Sequence, residues 1–199
     1  MIEVRRAEPA NFSAAARLLH YSAEDMYNRF AGGQERALRL LERSLRVPGT
    51  ASSAEVVWIA EIDGQVAAAM AAFPVNEAVS RSASFLRLAL RVAPPWRWPR
   101  ALSLYWAGGR AAPTPPSGAF YVDALATDPA FRRRGAASAL LSEAERQALV
   151  RGLSAVALDT TEGNDEARAL YAREGFGEVS YRRAARGLPG FVALVKPVR

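Results

Sequence analysis

The run Phe131-Arg132-Arg133-Arg134-Gly135-Ala136-Ala137-Ser138 lies between a strand-like segment, Ala119 to Ala126, and a helix-like one, Ala137 to Arg151. Ser154 to Asp159 follows as another strand. Strand, glycine turn, helix and strand make one parallel crossover, which should be right-handed. Any sheet built from this chain therefore holds at least one parallel pair. The loop is also suited to an anion. The first N–H groups of a helix have no intrahelical partner, and the helix dipole places partial positive charge there. Gly135, Ala136 and Ala137 leave room for a phosphate to approach, and three arginines surround it with charge.

The remaining elements read outward from this crossover. Ile2 to Arg6 is a short strand. Pro9 opens a helix carrying Phe12, Ala15, Ala16 and Leu19 at helical spacing, and a second helix covers about 34–46. Two apolar runs, 55–62 and 65–73, flank Asp63-Gly64, a strong hairpin signal. Residues 74–118 read as an irregular Pro/Trp-rich insert, with short helices at 84–92 and 101–107. Pro94 to Pro99 is excluded from helix, because proline blocks continuation. After the crossover, Asn164 can cap a helix with Asp165 and Glu166 in its first turn, and Gly175 is placed to end it. Strands at 176–181 and 191–195 close the chain. The fold class is α/β (α+β), with a mixed sheet in one domain over 1–199.

Half of the 199 residues are hydrophobic, enough for one sizeable core. The longest apolar tract, Val66 to Val75, is too short to span a bilayer. The N-terminus lacks a secretory pattern, so a cytoplasmic location and no membrane partner are the default expectations. There are no cysteines, which excludes disulfides, thiolate metal sites and a cysteine nucleophile. No metal-ligand spacing is present, so no metal is expected. The net charge is +6, nearly all the positive charge being arginine, since Lys196 is the only lysine. A basic chain of this kind raises a nucleic-acid reading. The dispersal of the arginines over many segments weighs against it.

The loop lacks the Gly-Lys-Ser/Thr of a P-loop and the three spaced glycines of a dinucleotide fingerprint. Arg132-x-x-Gly135-x-Ala137 instead resembles the acetyl-CoA pyrophosphate loop of the GNAT (GCN5-related) N-acetyltransferases, Gln/Arg-x-x-Gly-x-Gly/Ala. Leu125-Ala126-Thr127-Asp128-Pro129 is similar to the family's strand end before that loop. Asn164-x-x-Ala167-x-x-Leu170-Tyr171-x-x-x-Gly175-Phe176 is similar to its later signature. The two motifs stand in the family's order, over about Tyr121 to Tyr181.

The resemblance implies a mostly antiparallel central sheet with helices on both faces and a splayed parallel pair. It implies acetyl-CoA as co-substrate. The pyrophosphate would be held by main-chain N–H groups from Arg133 to Ser138, with Arg132, Arg133 and Arg134 supplying charge. Leu125, Ala126 and Thr127 would offer backbone to the pantetheine arm, as to an added strand. Asn164 would bond pantetheine or cap its own helix. Tyr171 matches the tyrosine that donates to the departing thiolate.

For the general base, Asp123 is the candidate. Strand alternation places it on one face with Tyr121 and Leu125, and an acid on an apolar strand is costly without a job or a partner. A structural bond to an arginine or a backbone N–H is the competing reading. Glu77 and Asp159 are weaker candidates, and His20 reads as a surface or half-buried residue. Without cysteine, direct attack in a ternary complex is expected, with no cysteinyl acyl-enzyme. The acceptor would be a small-molecule or protein amine. Trp96, Trp98, Tyr105 and Trp106 suit the insert to a substrate lid or a homodimer contact. The competing functions are a non-catalytic acyl-CoA-binding regulatory module and a basic nucleic-acid-binding protein.

Overall fold

The computed structural model describes residues 1–111, 113–184 and 189–198. Among these residues, seven strands form one sheet in the order β1-β2-β3-β4-β5-β7-β6. They are β1 (Ile2–Arg6), β2 (Val57–Ile62), β3 (Gln65–Pro74), β4 (Ala119–Thr127), β5 (Ala155–Thr161), β6 (Gly177–Arg182) and β7 (Phe191–Pro197). Every neighbouring pair is antiparallel except β4 and β5. The Asp63-Gly64 hairpin forms as read, with both residues at positive φ (53° and 76°), as a tight two-residue turn requires.

Among the described residues, seven α-helices surround the sheet: α1 (Phe12–Ser22), α2 (Glu24–Ala31), α3 (Gln34–Leu45), α4 (Ala78–Val92), α5 (Trp98–Ala111), α6 (Ala136–Val150) and α7 (Asp165–Arg173). One face packs under α6 and α7. There Leu140, Leu141, Ala144 and Ala148 meet Met70, Ala72, Phe120 and Val122, and Tyr171 and Phe176 complete the cluster. The other face packs under α1 and α3, where Leu19, Leu41 and Leu45 meet Val57, Ile59, Ala69 and Ala71.

The insert differs from its reading. Segment 74–118 is mostly helical, and both helices are longer than the periodicity suggests. Trp98-Pro99 opens α5 rather than lying outside it, because a proline in the first turn has no intrahelical bond to lose. Ala93-Pro94-Pro95 ends α4 by the opposite effect. Helix α2 also went unread. It is only eight residues long, hydrophilic on average, and buries no residue fully.

Candidate active site

The parallel pair β4–β5 is short. It runs from Ala119–Val122 against Ala155–Leu158 and then stops. Beyond it, β4 continues to Thr127 paired only with β3, and β5 continues to Thr161 paired only with β7. The two strands thus part after Val122 and Leu158, leaving the β5-side edge of 123–127 without a strand partner.

A bulge sits at the fork. Ala72 pairs with Val122 and Ala71 with Ala124, so Asp123 is the extra residue. It reverses the alternation along β4. Phe120, Val122 and Leu125 face α6, whereas Tyr121 and Ala124 face the α1 side. The expectation that Tyr121 and Leu125 share a face is therefore wrong. A one-residue bulge leaves no periodic trace in an apolar strand.

Asp123 accepts no hydrogen bond and joins no ion pair among the described residues, so the structure shows no arginine or backbone N–H bonded to it. Its side chain is open to solvent along the parted edge, but protein crowds it from the other sides. Desolvation first, and the charge of Asp159 second, push its carboxyl up to about 7. Across the fork, Asp159 accepts a hydrogen bond from the Tyr121 hydroxyl. Burial raises the Asp159 carboxyl, and that hydrogen bond partly offsets the effect. Burial also raises the Tyr27 phenol of α2, with Asp123 adding to the shift. Tyr27 contacts Phe85 of α4 edge-on, at 6.4 Å between ring centroids. Helices α2 and α4 thus wall the cleft on the Asp123 side. Glu77, by contrast, is bonded to Arg81 at 2.7 Å.

Gly135 caps α6 with φ +87°. A Cβ there would meet Ile2 Cδ1 of β1 at 3.2 Å. Glycine therefore suits this position for its left-handed backbone and the nearness of β1. The N–H groups of Gly135, Ala136, Ala137 and Ser138 meet no acceptor among the described residues. Ala136 points into the core, and the Ser138 hydroxyl donates to Glu174 at 2.6 Å.

The arginine triplet is less free than its sequence implies. Arg132 pairs with Glu166 at 3.1 Å and Arg134 with Asp63 at 3.0 Å. Arg133 stands at φ +57°. The Asn164 carboxamide oxygen accepts from Ala167 N–H at 3.2 Å, so it caps α7. Tyr171 is buried against Phe176 at 5.9 Å. Its phenol is pushed up to about 12 by burial, with a contribution from Asp159. His20 is buried, not superficial, and bonded to Asn28 at 2.8 Å.

The sequence model of the acetyltransferase (GNAT) family matches residues 17–176. The chain belongs to the GNAT acetyltransferase family. It is accordingly an acyltransferase of the acetyl-CoA-dependent kind. Solved structures share the fold. An N-acetyltransferase from Staphylococcus aureus Mu50 aligns with TM-score 0.74 at 18% identity, covering 98% of this chain and 100% of that one. The ribosomal-protein-S18-alanine N-acetyltransferase from Escherichia coli aligns at 0.57 and 16%, covering 100% and 94%. A chain of the NatC complex bound to Gag peptide and CoA aligns at 0.59 and 13%, covering 100% and 99%. No curated protein matches the chain significantly. In this GNAT member Tyr27 was the cleft residue that sequence reasoning missed, because α2 itself was not seen.

Proposed function

We propose that the protein is an N-acetyltransferase that moves an acetyl group from acetyl-CoA to a primary amine, of a small molecule or a protein, by direct attack in a ternary complex. The observation that carries the reading is the fork after Val122 and Leu158, which opens beside four unpaired N–H groups at the start of α6.

These residues fit the donor. The N–H groups of residues 135–138 would hold the pyrophosphate, with those of Arg133 and Arg134 before them. Arg132, Arg133 and Arg134 would lend charge, weakened by the two acid pairings. The free edge of Leu125, Ala126 and Thr127 would take the pantetheine arm in place of β5, and one of its N–H groups would stabilise charge developing on the carbonyl oxygen. With one lone pair of its oxygen engaged in the cap, Asn164 keeps its NH₂ and a second lone pair to offer the arm.

Bound acetyl-CoA supplies an activated thioester carbonyl. Asp123 takes one proton from the acceptor ammonium, directly or through a water, so that the neutral amine can attack; the second N–H proton passes to solvent as the C–S bond breaks, and a carboxyl near 7 is matched to the first transfer. Tyr171 donates a hydrogen bond to the leaving sulfur. Full proton transfer from a phenol near 12 to a thiolate of ordinary basicity would be uphill by roughly three orders of magnitude, so the phenol keeps its proton.

The test is CoA release with a panel of amines under initial-rate conditions. Intersecting double-reciprocal lines support the reading. Parallel lines, or acetyl-CoA binding without turnover on any amine, overturn it.

A further inference from the structure

The α4–α5 hairpin carries surface chemistry that acetyl transfer does not use. Between Ala78 and Val122 there are six arginines (81, 87, 91, 97, 100 and 110) and neither Asp nor Glu. Six is the formal net charge of the whole protein, so the rest of the chain is balanced. Three of the four tryptophans lie in the same stretch, whereas Trp58 is in the core. Trp96 is 80% exposed and Trp106 59%, with Val92, Trp98 and Leu102 also exposed. Arg87, Arg91 and Arg100 are exposed beside them.

The hairpin tip is held in shape. Trp98 Nε1 donates to the carbonyls of Leu90 at 3.0 Å and Ala93 at 3.2 Å, joining the start of α5 to the end of α4. Arg97 lies over Gly32, where a Cβ would overlap its guanidinium. This contact sets the tip at the C-terminal end of α2, about 12 Å of helix away from Glu24 and Asp25. Glu35, just beyond Gly32, is already paired with Arg39. Helix α5 packs chiefly on α2 and α4, not on the sheet, so its outer side faces solvent.

We propose that this tip, residues 91–106, is an interfacial anchor for an anionic phospholipid surface. Tryptophan indoles favour the headgroup level, and exposed arginines pair with lipid phosphates. Each such arginine adds about a fivefold preference for an anionic surface. No helix of the described residues is long and apolar enough to cross a membrane. A peripheral contact needs none, and neither spanning length nor an N-terminal secretory pattern, on which the expectation of no membrane partner rested, bears on one. A second copy fits poorly, because docking this patch on itself sets one acid-free arginine surface against another. Single-stranded nucleic acid would use rings stacked above a basic groove. Here Val92, Pro95, Pro99 and Leu102 place aliphatic surface among the rings.

The full chain is mixed with vesicles of equimolar phosphatidylglycerol and phosphatidylcholine, and with pure phosphatidylcholine. Co-sedimentation with the first only, a blue shift in tryptophan emission and quenching by brominated acyl chains are expected. Raising salt from about 0.05 M to about 0.5 M should weaken binding at least tenfold. Arg91→Gln with Arg100→Gln should weaken it about 25-fold, and Trp96→Ser with Trp106→Ser should remove the blue shift. Both variants should keep the wild-type melting temperature and rate on a freely diffusing amine. The proposal falls if anionic vesicles do not bind. It also falls if these variants bind normally, or if the blue shift follows protein concentration or added RNA without lipid.

Discussion

The crossover from β4 through α6 and the hairpin of α4 and α5 are both arginine-bearing, and they use charge in opposite ways. In the crossover two of the three arginines are paired off, Arg132 with Glu166 and Arg134 with Asp63, and the start of α6 presents main-chain N–H donors with no acceptor among the described residues. In the hairpin the acid-free stretch leaves Arg87, Arg91 and Arg100 exposed among aromatic rings. A triplet of arginines is therefore a poor measure of local charge. What surrounds it in space decides, and the conspicuous Arg132-Arg133-Arg134 is the more neutralised of the two.

The largest effect should come from the crossover backbone. Gly135→Val places a β-branched side chain at φ +87° and against Ile2. It should weaken acetyl-CoA binding by at least about 100-fold in calorimetry and cost about 2 kcal/mol or more of stability. Normal affinity in the folded variant would break the contrast, because side chains rather than backbone would then be holding the donor.

Asp123→Asn should lower turnover by about 100-fold or more above pH 7 and leave acetyl-CoA affinity unchanged. The wild-type rate should rise with pH through about 7 as Asp123 loses its proton, and the variant should lose that step. Stability runs the other way. The folded carboxyl, at about 7, holds a proton that the unfolded one, near 3.8, has released. Wild-type stability should therefore fall as pH rises between those values and level off above. Asp159, also raised, adds a slope of the same sign. Melting curves should show Asp123→Asn more stable than wild type at pH 8, with the advantage gone at pH 3.

Tyr171→Phe should cost roughly tenfold to 100-fold in turnover, the worth of one hydrogen bond to a charged sulfur, without changing acetyl-CoA affinity. A wild-type kcat would remove Tyr171 from the chemistry. The smallest effects sharpen the contrast from both sides. Arg134→Ala should change the acetyl-CoA KM by about threefold or less, since an exposed paired arginine is worth little. Trp98→Phe removes two hydrogen bonds at the hairpin tip and should cost about 1 kcal/mol in unfolding titrations, with no change in that KM.

Much of the crossover was legible because its requirements are local. Gly135 must be glycine for its φ, Asn164 must carry an oxygen to cap α7, and the Asp63-Gly64 turn needs two positive φ values. Each leaves a residue type at a fixed offset. The bulge at Asp123 left none, and so the shared face of Tyr121 and Leu125 was misread. The burial of His20 was misread too, because it depends on Asn28 from a helix that had not been recognised. In the hairpin, Pro94 to Pro99 read as a break because one proline rule applies inside a helix and another at its start. The start was visible only after folding.

Chain chemistry alone was enough for the strand–loop–helix crossover, the pairing motifs and the family, since these rest on backbone conformations that particular residues permit or forbid. Folding in three dimensions decided where the strands part, that Asp123 meets no partner among the described residues at that fork, and which arginines are neutralised. Those outcomes depend on groups far apart along the chain, and their energies are set by the solvent and charge that each meets only once the layers have packed.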